Sequence, residues 1–152
     1  MPILNKEDEN EVKKYNEFLN SSKYTRLTQS LEWGKVKSNW ENEVVYVENE
    51  GKIVASMLLL IQKIPIKNYT FMYSPRGPVC DINDMELVKS LLEEAKIVAK
   101  KYNAYLLKFD PSVKYSKELD DRYKALGFKT SRRKSKPRYS YTAFIWCNFR
   151  YI

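Results

Sequence analysis

Apolar residues recur every three to four positions in some stretches of this chain and crowd into short runs in others, so helices and strands alternate along it. Val12, Tyr15, Phe18 and Leu19 share one helical face, with a start signal at Asn5 and Asp8 and a stop at Asn20-Ser21-Ser22. A short second helix begins near Ser30, whose hydroxyl can cap it, and carries Trp33, Val36 and Trp40. Val44 to Val47 and Ile53 to Ile61 read as strands around the hairpin loop Glu48-Asn49-Glu50-Gly51. The second is nearly all apolar, as expected of a central strand covered on both faces. Tyr69 to Tyr73 makes a third strand. From Asn83 to Tyr102, Leu87, Leu91, Ala95, Val98 and Tyr102 mark a helix of about five turns. Ala104 to Phe109 is a strand ending at Asp110-Pro111, and Ser116 to Leu126 a helix stopped by Gly127. Phe128 opens a short strand and Tyr139 to Ile145 forms another. This order predicts an α/β fold: a three-layer domain around a central mixed sheet.

Between the third strand and the longest helix lies Ser74-Pro75-Arg76-Gly77-Pro78-Val79. Gly77 can take backbone angles closed to other residues, and the two prolines restrict their neighbours. A rigid loop that points Arg76 from the mouth of the sheet is expected. A second cation, Lys37, follows Trp33 by four residues and so lies on nearly the same helical face, whereas Lys35 points away. Two readings of Lys37 stand side by side: a stem snorkelling over Trp33 and Trp40, or a cation held at a pocket edge for a phosphate or carboxylate.

Composition narrows the chemistry. The 152 residues make one domain, and an apolar content of 43% fits a folded protein. Met1 to Asp8 lacks the basic and apolar regions of a signal peptide, and the apolar run Ile53 to Ile61 is too short to span a bilayer, so a cytoplasmic protein is expected. Two cysteines, Cys80 and Cys147, and no histidine argue against a zinc site, a disulfide framework and any Ser-His or Cys-His hydrolase. The net charge is +8, and seven bases with no acid fall from Lys129 onward, which leaves +1 for everything before. Such a basic segment suits an anionic partner. Lys129 to Arg138, followed by Tyr139 and Tyr141, is one candidate for a non-enzymatic nucleic-acid-binding module, combining backbone neutralisation with base stacking.

Only four glycines occur, and no two are close together. A G-x-G-x-x-G loop and a Walker loop are therefore absent. An acetyl-CoA pyrophosphate needs several backbone N–H groups on a turn at a helix N-terminus. Pro75-Arg76-Gly77-Pro78 supplies too few, so no acetyl-CoA and no other cofactor is expected.

Three ordered motifs carry a family resemblance: Thr28-Gln29-Ser30-Leu31-Glu32-Trp33-Gly34-Lys35-Val36-Lys37-Ser38-Asn39-Trp40, Ser74-Pro75-Arg76-Gly77-Pro78-Val79-Cys80-Asp81 and Ala104-Tyr105-Leu106-Leu107-Lys108-Phe109-Asp110-Pro111. Together they resemble the FemABX family of non-ribosomal peptidyl and aminoacyltransferases, of the FemX type, from residue 1 to about 145. Lys136-Pro137-Arg138 is similar to the family's short segment before a strand, which adds Arg138 to the substrate-binding candidates. The resemblance implies the first of two acetyltransferase-like (GNAT-like) domains, with a mostly antiparallel mixed sheet. It implies transfer of an amino acid from aminoacyl-tRNA to the stem-peptide lysine of UDP-MurNAc-pentapeptide or lipid II, in peptidoglycan interpeptide bridge synthesis. By the same resemblance Lys37 contacts the substrate's phosphates, Tyr105 lines that pocket, Arg76 is a further substrate contact, and Asp110 accepts the proton of the attacking amine. The resemblance covers the first domain only, so the second is expected to be missing from this chain. Residues 146–152 depart from the family's pattern and read as a divergent tail left by truncation or a frameshift, so an inactive fragment is one expectation.

Overall fold

The structure, a computed structural model, describes residues 3–114, 116–134 and 140–147. Six strands form one sheet in the order β1-β2-β3-β4-β6-β5: Glu41–Asn49, Lys52–Lys63, Thr70–Ser74, Ala104–Phe109, then Ser140–Cys147 and Lys129–Lys134. All neighbours are antiparallel except β3 and β4, which α3 (Met85–Lys101) joins by a crossover. The expected mixed, mostly antiparallel sheet is what forms.

Strand alternation sorts the core into two layers. Val45, Ala55, Met57, Leu59, Ile61, Met72, Leu107 and Phe109 face α3 and α4 (Lys117–Ala125), together with Leu91, Ala95 and Val98 of α3 and Tyr123 of α4. Val44, Tyr46, Leu58 and Leu60 face the other way, against Tyr15 and Leu19 of α1 (Glu9–Ser21). A fully buried leucine or valine of this kind contributes about 1.5–3 kcal/mol of transfer free energy. Phe109 anchors the far end through ring contacts with Tyr123, Phe128 and Phe144.

The helix caps explain small shifts from the sequence reading. Asp8, not Asn5, caps α1, accepting from the N–H groups of Asn10 and Glu11. Asp84 caps α3 through the Leu87 N–H, so the helix starts after Asn83. Ser30 caps α2 (Leu31–Val36) as expected, but that helix stops before Trp40 and leaves Val36 68% exposed. The β1–β2 hairpin turns on Glu50 and Gly51, both at positive φ, as a two-residue turn of the primed type requires. Strand β6 runs through Trp146, which pairs with Leu107, to Cys147. Arg138 and residues 148–152 lie outside the described residues.

Candidate functional site

The loop after β3 is fixed at nearly every polar atom. Gln29 sits in a short 3-10 turn (Leu27–Gln29) and is fully buried. Its Nε2 donates to the Pro75 carbonyl at 2.8 Å and the Ser74 hydroxyl at 3.1 Å, while its Oε1 accepts from the Leu58 N–H of β2 at 2.8 Å. Its carbonyl accepts from the buried Tyr15 hydroxyl at 2.6 Å, and Thr28 Oγ1 adds a second donor to the Pro75 carbonyl at 2.8 Å. One residue, through its side chain and its carbonyl, thus ties α1, β2 and the Arg76 loop together. A buried amide with every partner present holds geometry firmly, because each lost partner leaves a desolvated polar group.

Asp110, at the end of β4, holds the same loop from the other side. Its Oδ1 accepts from the Arg76 N–H at 2.8 Å and its Oδ2 from the Tyr73 hydroxyl at 2.9 Å. Arg76 bears the left-handed backbone angle expected of Gly77, with φ at 57°. Gly77 is needed for a different reason: a Cβ there would collide with Ser74 Oγ and lie 2.8 Å from Gln29 Nε2. The loop's N–H groups are also spoken for. Arg76 donates to Asp110, Gly77 to the Ser74 carbonyl at 3.4 Å and Val79 to the Ser56 carbonyl at 2.8 Å, while Pro75 and Pro78 have none.

Lys37 and Tyr105 lie elsewhere. Lys37 is the C-cap of α2, and its Nζ stands 5.4 Å from the centre of the Trp33 ring, so the stem does lie over that indole. The Trp33 indole N–H is buried with no acceptor among the described residues. Trp40 packs edge-on against Phe71 of β3 at 5.3 Å, and Lys108 of β4 lies 5.6 Å above the Tyr73 ring. Phe71, Tyr73 and Lys108 are half-buried on the face of the sheet opposite Met72 and Leu107. Tyr105, 37% exposed, is the extra residue of β4, skipped where Thr70 pairs with Ala104 and Phe71 with Leu106. The structure therefore joins Arg76 to Asp110 through one hydrogen bond and seats Lys37 on a separate aromatic edge.

Cys80 does not offer a nucleophile. Burial first, and then the Asp81 and Asp84 carboxylates, push its thiol up to about 12, so it stays protonated at neutral pH.

Residues 10–134 match the FemAB family. The chain belongs to the FemAB family. A FemAB-related relative, the UDP-N-acetylmuramoylpentapeptide-lysine N(6)-alanyltransferase of Weissella viridescens, is 41% identical over 134 residues, covering 88% of this chain and 39% of that protein. The lipid II:glycine glycyltransferase of Staphylococcus aureus (strain MRSA252) is 36% identical over 116 residues, covering 74% of this chain and 28% of that protein. The chain thus spans well under half the length of these relatives. Among solved structures, FemX superposes with a TM-score of 0.71 at 31% identity, covering 82% of this chain and 33% of that one. A probable acetyltransferase from Staphylococcus epidermidis ATCC 12228 superposes at 0.61 with 14% identity over 96% of both chains, which shows the GNAT-like fold alone.

Sequence reasoning quoted Thr28 and Gln29 only as part of a motif and gave neither a role. A lone glutamine before a helix cap carries no local signal that it will be buried. Its significance appears only when β2 and the Arg76 loop close over it.

Proposed function

We propose that this FemAB-family chain is the acceptor-binding domain of an aminoacyltransferase that builds the peptidoglycan interpeptide bridge. The observation that carries this reading is the family match over residues 10–134, with a 41%-identical relative named as a UDP-N-acetylmuramoylpentapeptide-lysine alanyltransferase. The acceptor is UDP-MurNAc-pentapeptide or lipid II, and the donor an aminoacyl-tRNA, which places the reaction in the cytoplasm. Among the described residues no helix is long and apolar enough to cross a membrane. Acetyl-CoA has no part in it: the backbone donors a pyrophosphate would need are already used within the Arg76 loop.

In this reading Lys37 meets the substrate's phosphates from its half-buried seat over Trp33, where an ammonium acts as a positioned point charge. Tyr105, displaced from the regular ladder, lines the same approach, with Arg76 and Arg138 as further contacts. Asp110 takes up the proton as the amine attacks the aminoacyl ester. Each of its oxygens accepts one hydrogen bond, and a carboxylate oxygen has a second lone pair free for that step.

Titrating the purified chain with UDP-MurNAc-pentapeptide tests the reading. Saturable binding that weakens roughly tenfold in Lys37→Ala is expected, the effect of losing one charge-assisted contact. Absence of binding at millimolar ligand, or equal binding by the variant, would sink it. One observation favours a second reading as a nucleic-acid module: among the described residues β5, Lys129–Lys134, ends the sheet order, so that part of the basic segment runs along a sheet edge. That module would bind RNA with a steep salt dependence, independently of Lys37, and would ignore the nucleotide-linked peptide.

A further inference from the structure

Three segments pinned by separate hydrogen bonds converge at the ends of β3 and β4 and line a partly open cavity of about 140 Å³. Arg26 comes from the segment before the 3-10 turn, Arg76 and Pro78 from the loop after β3, and Pro111 from the segment after β4. The Pro75 carbonyl, gripped by Thr28 and Gln29, ties the first two segments together. Asp110, bonded to the Arg76 N–H, ties the second to the third. Both arginines thus line one cavity on a framework that leaves their backbones little freedom, with Arg26 Nη1 donating to the Thr25 carbonyl at 2.9 Å.

We propose that this cavity is a subsite for one oxyanion, a phosphate or a carboxylate, carried by a small-molecule ligand, with Arg26 and Arg76 as its partners. A cavity near 150 Å³ admits a molecule about the size of benzene, so it suits a single anionic group and a few attached atoms rather than a nucleoside. Guanidinium groups present planar forks that match such oxyanions two bonds at a time. The loop's own N–H groups are engaged within the protein, so side chains must carry the recognition. Asp81 also lines the cavity and opposes an anion, but its Oδ1 is held by the backbone and side-chain N–H groups of Asn83 at 3.0 and 3.2 Å. Two cations face one carboxylate among the described lining residues. Lys37 and Tyr105 do not line the cavity, and the subsite shares only Arg76 with the substrate reading above.

The test is a titration of the whole chain with inorganic phosphate and, separately, with acetate, at constant ionic strength, following the arginine side-chain N–H signals by NMR. Saturable shifts of the Arg26 and Arg76 signals are expected, and the anion that saturates at lower concentration identifies the group. Arg26→Ala should weaken binding roughly tenfold. Asp81→Asn, which removes the opposing charge, should tighten it roughly two- to threefold. Lys37→Ala should leave it unchanged. Arg26 is exposed, so its variant keeps the fold even if an Arg76 variant does not. No saturable shift with either anion, unchanged affinity in Arg26→Ala, weaker binding in Asp81→Asn, or loss of binding in Lys37→Ala would each overturn the proposal.

Discussion

At Pro75 a single carbonyl oxygen accepts from Thr28 and Gln29 together, while at Lys37 a side chain rests on one indole face whose own N–H has no acceptor among the described residues. The first region is a closed network. Gln29 meets β2, the Arg76 loop and α1, and Asp110 holds the loop's opposite side. The second is an open edge of half-buried rings, Trp33, Trp40 and Phe71, beside an exposed Val36. Geometry in the closed region is set by hydrogen bonds before any ligand arrives. The open edge offers area and charge but little fixation, which suits a surface that a large substrate completes. Mutations should separate the two: costly to folding in the first, nearly silent to folding in the second.

The largest effect belongs to Gln29. Gln29→Leu strands the Leu58 N–H in the core and removes a donor from Ser74 and Pro75, which should cost about 3 kcal/mol. In urea unfolding the midpoint should fall with little change in slope. A loss under about 1 kcal/mol would show that the network is not what fixes the loop. Gly77→Ala should follow at about 1–3 kcal/mol, since the added methyl meets Ser74 and the Gln29 amide in a buried site. Asp110→Ala should cost about 2 kcal/mol by orphaning the Arg76 N–H and the Tyr73 hydroxyl. Asp110→Asn keeps one acceptor and should cost about half as much. Tyr73→Phe combined with either tests whether the two bonds act as a unit.

The split between the regions also marks what the sequence could reveal. The apolar pattern exposed most strands and the longer helices, because the continuous apolar run of β2 and the spacing from Leu87 to Val98 are one-dimensional records of burial, whereas β5 carries no apolar residue to signal it. The family pattern located the Arg76 loop and Lys37. It did not reveal that Gln29 is the centre of the closed network, because its partners lie 29 to 46 residues away in sequence. Glycine's conformational freedom pointed to Gly77 for the loop's unusual backbone angle, whereas Arg76, whose N–H is bonded to Asp110, takes it. Arg26 was invisible for the same reason. Its approach to Arg76 depends on a clamp made two residues later in the chain.

A position outside both regions supplies a pH-dependent reference. Burial works against ionised Glu43, but the hydrogen bonds from Lys101 Nζ at 2.8 Å and the Tyr102 hydroxyl at 2.7 Å win and hold its carboxyl below the usual range. A carboxyl depressed in the folded state stabilises above its unfolded value and loses that stabilisation as pH falls through its folded value. Glu43→Gln should therefore cost about 1 kcal/mol at neutral pH, and the gap from wild type should close as pH drops below the ordinary 4.5. A gap that stays constant down to acid unfolding would mean that the carboxylate's charge contributes nothing.

The smallest effect on folding is the one that carries the functional contrast. An ammonium over an indole at a half-exposed site contributes about 0.5–1 kcal/mol, so Lys37→Ala should move the urea midpoint barely at all. Lys37→Arg should be as stable as wild type, because a guanidinium stacks on the same ring. For binding of the nucleotide-linked peptide the order changes: alanine loses the charge and the affinity, while arginine keeps the charge and recovers most of it. If alanine costs as much stability as Gln29→Leu, Lys37 belongs to the framework and the contrast between the two regions collapses. If alanine is silent in folding and arginine restores binding, the Trp33 edge is a surface built around a charge, held apart from the loop that Gln29 closes.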